Sequence, residues 1–140
     1  MLVRCVYASR AATPPGPQVD AILEQSRRNN VKLGITGLLC VSDDVFIQVL
    51  EGGRDEVSEL FHTIARDPRH THVRILGFEE IAERRFASWT MGQVNVARVN
   101  PALLLKYSDR ASLDPFACSC RATLALLDEL VATAAISRSS

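Results

Sequence analysis

The sequence has little with which to cross a membrane, hold nucleic acid or ligate a metal. No apolar run approaches the ~20 residues that span a bilayer, and Arg4 interrupts the N-terminus where a signal peptide would be apolar. Sixteen Lys and Arg balance sixteen Asp and Glu, so no net charge draws the chain to phosphate backbones or anionic lipids. Aromatics are scarce: five Phe, two Tyr and one Trp cannot supply both a core and a sheet surface for stacking RNA bases. Among the four cysteines, Cys118 and Cys120 form C-S-C, but no second Cys or His pair follows at zinc spacing. Cys5 and Cys40 read as small buried hydrophobes. His62, His70 and His72 do not make H-x-x-x-H. A single soluble domain is expected, located in the cytoplasm, with no membrane and no direct nucleic-acid partner.

What the chain does have is clear periodicity. LVRCVYA (2–8) reads as a strand, and Pro17 opens a helix whose Val19, Ile22, Leu23 and Ser26 share a face. GITGLLCVS (34–42) and VFIQVLE (45–51) read as a hairpin turning at Asp43-Asp44. Gly52-Gly53 leads into a second helix with Val57, Leu60, Phe61 and Ile64 on its apolar stripe, and Pro68 stops it. HVRILGFEEI (72–81) and SWTMGQVNV (88–96) complete the strands. The order βαββαββ predicts an α+β, ferredoxin-like, five-stranded mixed sheet with two helices on one face.

From Asn100 onward the pattern changes. Leu103 to Tyr107 predicts a short helix, and a longer one is expected from Ser112 as N-cap with Pro115 in its first turn. Leu113, Phe116, Ala117, Cys120, Leu124, Leu127, Val131 and Ala134 keep helical spacing, so these C-terminal helices should cover the other sheet face. The final SRSS is expected to fray. The division expected is one ligand-binding domain over 1–97 and a C-terminal helical extension over 98–140.

The strand FIQVLEG (46–52) raises a chemical question. Its alternation puts Phe46, Gln48 and Leu50 on one face, so a lone amide sits among apolar side chains. Leaving a buried amide unpaired costs about 1–3 kcal/mol. Asn30 falls four residues after Ser26 on the first helix's inner stripe, and Tyr7 shares a strand face with Val3 and Cys5. Each has an ordinary explanation alone, as a helix-end amide or a core phenol bonded to a carbonyl. Together, Tyr7, Asn30 and Gln48 around a space walled by Ile22 and Ile64 suggest a planar polar ligand with an apolar body.

The stretches VYASRA (6–11), SRRNN-x3-GITGLL (26–39), FIQVLEG (46–52), DPRH (67–70) and RRFASWTMG (84–92) carry a more specific message. Over residues 2 to 96 the chain resembles the BLUF family of flavin-using blue-light sensors. The resemblance implies non-covalent FAD between the two helices, with FMN or riboflavin able to substitute. It makes Tyr7 and Gln48 the photochemical pair, and Asn30 the ring-binding asparagine beside Asn29. Ile22 and Ile64 become the apolar clamp, and Asp67, Arg69 and His70 belong to a segment near the ring and ribityl chain. Arg28 is the expected cofactor-binding cation, with Lys32 and Arg66 as further candidates for the phosphates. Trp89 and Met91, expected two apart on one strand face, would compete for the space beside Gln48; the pattern leaves open which of them faces inward.

Where the family hairpin has an aromatic and a turn glycine, this chain has Val41 and Asp44. No output domain is expected in the ~45 residues beyond the motifs. The implied protein is not an enzyme: it signals to a downstream protein, or through its own assembly, for which a dimer is expected. The rivals lack their chemistry. An acylphosphatase needs a phosphate-cradling loop with a positioned Arg, and a flavin oxidoreductase needs a nicotinamide site. A flavin- or small-ligand-binding regulatory module without photochemistry is the alternative.

Overall fold

Alternation along the strands sorts the buried side chains onto two faces of one sheet. The computed structural model describes residues 1–12, 17–95, 100–132 and 136–137. In chain order the elements are β1 (Leu2–Ala11), α1 (Pro17–Leu33), β2 (Thr36–Ser42), β3 (Val45–Gly53), α2 (Arg54–Ala65), β4 (His70–Glu80), β5 (Gly92–Asn95), α3 (Pro101–Tyr107), α4 (Cys120–Ala132) and β6 (Ile136–Ser137). The sheet runs β4-β1-β3-β2-β5-β6. β1 is antiparallel to β3 and β4, β2 is antiparallel to β3, and β5 lies parallel to β2. This is the ferredoxin-like α+β arrangement expected, with α1 and α2 as crossovers.

Val3, Cys5 and Tyr7 of β1 pack with Leu39, Phe46 and Leu50 under α1 and α2. The alternate residues Val6, Ala8, Leu38, Cys40, Ile47 and Val49 form the opposite face, covered by Leu104 of α3 and Leu124, Leu126, Leu127 and Leu130 of α4. The C-terminal helices therefore cover the face away from α1 and α2, as the apolar stripe required. Gly37 is needed where β2 meets β3: a Cβ there would stand 1.9 Å from the Val49 carbonyl oxygen. The hairpin turn closes at Ser42↔Val45, with Asp43 in the left-handed region at φ 50°, which Asp enters more readily than most residues other than glycine.

Three expectations are corrected. The long C-terminal helix begins at Cys120, not near Ser112; Asp114 Oδ1 accepts from the Phe116 N–H at 3.1 Å in a turn, and Ser119 Oγ caps the helix by accepting from the Ala122 N–H at 3.0 Å. Asp114 precedes a proline, which disfavours helical backbone there, and its side chain offers a competing turn. Leu113 and Phe116 still pack against the core, from a loop, whereas Ala117 is exposed. The last predicted strand is shorter than 88–96, starting at Gly92. Within SRSS, Ser137 belongs to β6, which adds a short sixth strand by pairing with Gln93. Arg66, an expected candidate for a phosphate contact, is exposed, and its backbone N–H closes α2 on Thr63. Val96, Ala134 and residues 138–140 lie outside the described residues, and the Val19 side chain is likewise outside the description.

Candidate functional site

Tyr7 and Gln48 are placed by register. They are direct partners across the β1–β3 pair, and Gln48 in turn faces Leu39 of β2. Side chains directly opposite on one face come within reach of each other. The Tyr7 hydroxyl donates to Gln48 Oε1, and both residues are buried. Gln48 Nε2 points to Met91 Sδ at 3.5 Å, a weak acceptor. Burial pushes the Tyr7 phenol far above its ordinary pKa, with Cys5 and Asp67 adding to the rise. The phenol is therefore a neutral donor at any working pH.

The pair opens onto a narrow cleft between α1 and α2 with about 90 Å³ of free space inside it. Ile22 from α1 and Ile64 from α2 line its two sides. Asn29 and Asn30 border it from α1, while Asp67, Arg69 and His70 border it beyond α2. Asn30 is 1% exposed; its Nδ2 donates to the Thr90 carbonyl at 2.9 Å, and its Oδ1 is buried with no hydrogen-bond partner. An unpaired buried acceptor is costly. An N–H from a bound molecule would satisfy it.

The far wall is rigidly bonded. His70 Nε2–H donates to the Ile64 carbonyl at 2.6 Å, which leaves Nδ1 to accept from Ser9 Oγ at 3.0 Å. Arg69 chelates Asp67, with Nε to Oδ1 at 3.0 Å and to Oδ2 at 2.9 Å, and its Nη2 reaches Gln25 Oε1 at 3.0 Å. These bonds hold the Asp67 carboxyl below the usual carboxylate range. An apolar body with polar atoms only at its edges matches this lining, and a flavin ring has that distribution. Its pyrimidine edge carries the N–H that Asn30 Oδ1 lacks. The residues present fit the group.

Two of the expected site residues lie elsewhere. Arg28 is exposed and lines a neighbouring groove with Lys32 and Gln93, because it falls on the outer side of α1 from Asn30. Trp89 and Met91 do not share a face. The chain bends from 88 to 91 before β5 begins, so period-two alternation does not apply to them. Met91 is fully buried with Tyr7 and Leu39, whereas Trp89 stacks on Phe86 at 6.1 Å on the helix-covered face. The question left open by the pattern resolves to Met91 beside Gln48.

Some lining residues escaped the sequence reading. Phe46 shares Gln48's strand face, and Leu60 lies one turn before Ile64, so alternation and helical spacing contained both. Phe61 approaches Tyr7 edge-on at 5.6 Å. Glu51 carried no signal beyond the motif, yet it is wholly buried. It accepts from Arg4 Nε at 2.7 Å and from the backbone N–H groups of Arg85 at 3.0 Å and Phe86 at 2.7 Å.

A family model described as BLUF, sensors of blue-light using FAD, matches residues 2–92. The chain belongs to the BLUF family. It is 37% identical over 92 residues to a photoactivated adenylate cyclase subunit beta of Euglena longa, a match covering 64% of this chain and 11% of that one. A blue light- and temperature-regulated antirepressor of Escherichia coli is 29% identical over 87 residues, covering 61% of this chain and 22% of that one. The chain thus spans about a tenth of the length of the cyclase subunits it matches. Among solved structures, the dark state of the BLUF protein BlrB superposes with a TM-score of 0.76 at 33% identity, over 94% of this chain and 96% of that one. BlsA in its photo-activated state gives 0.83 at 27% identity, over 100% and 99%. BLUF domains bind flavin and sense blue light. No described helix is long and apolar enough to cross a membrane.

Proposed function

We propose that this BLUF chain is a blue-light photoreceptor that holds FAD non-covalently, switches through Tyr7 and Gln48, and reports to a separate downstream protein. The observation that carries this reading is the buried Tyr7–Gln48 hydrogen bond at the floor of a cleft whose Asn30 acceptor is unpaired. FAD is the form named by the family; FMN or riboflavin could take its place, because the fitted contacts address the ring. Asn30 and Gln48 would hold the ring's polar edge, Ile22 and Ile64 its faces, and the Asp67–His70 segment its flank. Asn29 is placed to contribute at the rim.

An oxidised flavin supplies, once excited by blue light, a one-electron acceptor. Tyr7 is the oxidisable donor, and loss of an electron makes its phenol strongly acidic. Gln48 Oε1 already accepts that hydroxyl, so the proton leaves along an existing hydrogen bond. After charge returns, the Gln48 amide settles rotated or tautomerised. Its Nε2 then no longer offers Met91 Sδ the same contact, and the altered amide shifts the absorption to the red. Residues 1–97 act as the flavin unit and 98–140 as the extension that passes the change on, in the cytoplasm, to a partner or to a second copy.

The test is a visible spectrum. Purified protein should be yellow, retain flavin through equilibrium dialysis, and show a light-induced red shift that reverses in darkness. Well-folded protein that retains no flavin would refute the proposal.

A further inference from the structure

Met91 faces Gln48 because something holds residues 89–91 in a bend, and the three carbonyls of that bend show what. The Trp89 carbonyl accepts the Gly37 backbone N–H of β2 at 3.1 Å. The Thr90 carbonyl accepts Asn30 Nδ2 at 2.9 Å, and the Met91 carbonyl accepts Arg27 Nε at 3.1 Å. The last two donors are three residues apart, hence neighbours on one side of α1. Arg27 is half-buried, and its Nη2 is out of contact with solvent without a hydrogen-bond partner. A guanidinium gives up water reluctantly, so a partly desolvated Arg with one buried unpaired nitrogen is held there by the Met91 carbonyl.

We infer that Arg27 is a positioning residue: together with Asn30 it latches the 90–91 backbone to α1, and so keeps Met91 inward and Trp89 outward. Asn30 belongs to the cleft, and its bond to Thr90 will feel whatever occupies its other edge. Arg27 touches neither the cleft nor Gln48. It acts on the switch only through the carbonyl that sets Met91's direction. Any rearrangement that turns Met91 away from Gln48 must stretch this bond, so Arg27 governs how readily the bend changes and how fast it resets.

The inference rests on the photochemical reading for one of its two readouts only. The other is Trp89, the chain's single tryptophan, whose emission and acrylamide quenching report its burial in protein as purified and kept in the dark. Arg27→Met keeps the apolar stem and removes the donors; Arg27→Lys keeps one donor. Arg27→Met should raise acrylamide quenching of Trp89 and change the dark-recovery rate by about threefold or more, as expected when part of a charge-assisted hydrogen bond is lost. The size of the red shift should stay that of the wild type, and Arg27→Lys should lie between. Wild-type quenching together with wild-type recovery in Arg27→Met overturns the latch. If that variant does not fold, Arg27→Gln, polar but short of the carbonyl, is judged by the same two outcomes. A wild-type protein without any red shift would refute the photochemistry instead, and leave the latch to be decided on Trp89 quenching.

Discussion

A phenol that is 3% exposed and bonded to an amide has one ready route for its proton, and Tyr7 is in that position. Tyr7→Phe keeps the ring against Phe61 and removes the donor; Gln48→Leu keeps the volume and removes the relay. Each should retain bound flavin and lose the normal red-shifted state, measured as a light-minus-dark spectrum. A full wild-type difference spectrum from either variant would break the mechanism. These residues were legible in the sequence because a polar side chain on a buried strand face stands out against alternation. Arg28 was less legible, for the opposite reason. Basic residues occur on every exposed helix face, and Arg28, two residues before Asn30, is about 200° around the helix from it. Arg27 was overlooked because its acceptor is a carbonyl sixty-four residues away, and no spacing encodes that.

At the scale of elements, the connection between β4 and β5 is fastened to the sheet through side chains of β1 and β3. Glu51 reaches it from β3 with both carboxylate oxygens, Arg84 Nη1 donates to the Glu51 carbonyl at 3.2 Å, and Arg4 neutralises the buried charge. Glu51→Ala would leave the Arg4 guanidinium buried without its main partner and two backbone N–H groups unpaired. Loss of one member of a buried pair costs about 3–5 kcal/mol. Denaturant titration should show that loss, while Glu51→Gln, which retains an acceptor, should lose less. Equal stability for Glu51→Ala and wild type would remove the clasp from the argument. The helices and the first three strands were readable because burial period and caps agreed along short stretches. The start of α4 was not, since Leu113, Phe116 and Cys120 reach the core from a turn and a helix alike. The bend at 88–91 was equally hidden, being imposed by Glu51, Gly37 and α1 rather than by its own residues.

For the whole molecule, the sheet separates the cleft from α4, and the 84–91 segment is where the two sides meet. Met91 lies in the core under α1 and α2, while two residues earlier Trp89 lies in the core under α4, stacked on Phe86. Arg85 adds a bridge to Asp128 of α4 at 3.2 Å, and α3 is tied to α4 because Lys106 and Tyr107 both donate to Glu129. The exposed Arg85–Asp128 pair contributes little stability by itself. The buried leucines of α4 hold it down, so a signal has to act through the Trp89–Phe86 packing rather than by detaching the helix. A modest change at Met91 would then alter how α4 opens locally, not whether it stays docked. Hydrogen exchange in darkness and under illumination should accordingly differ across residues 86–132 as well as around the cleft. Exchange changes confined to α1, α2 and the strands carrying Tyr7 and Gln48 would reduce α4 to a fixed cover over the sheet, and the output surface would then have to lie on the cleft side.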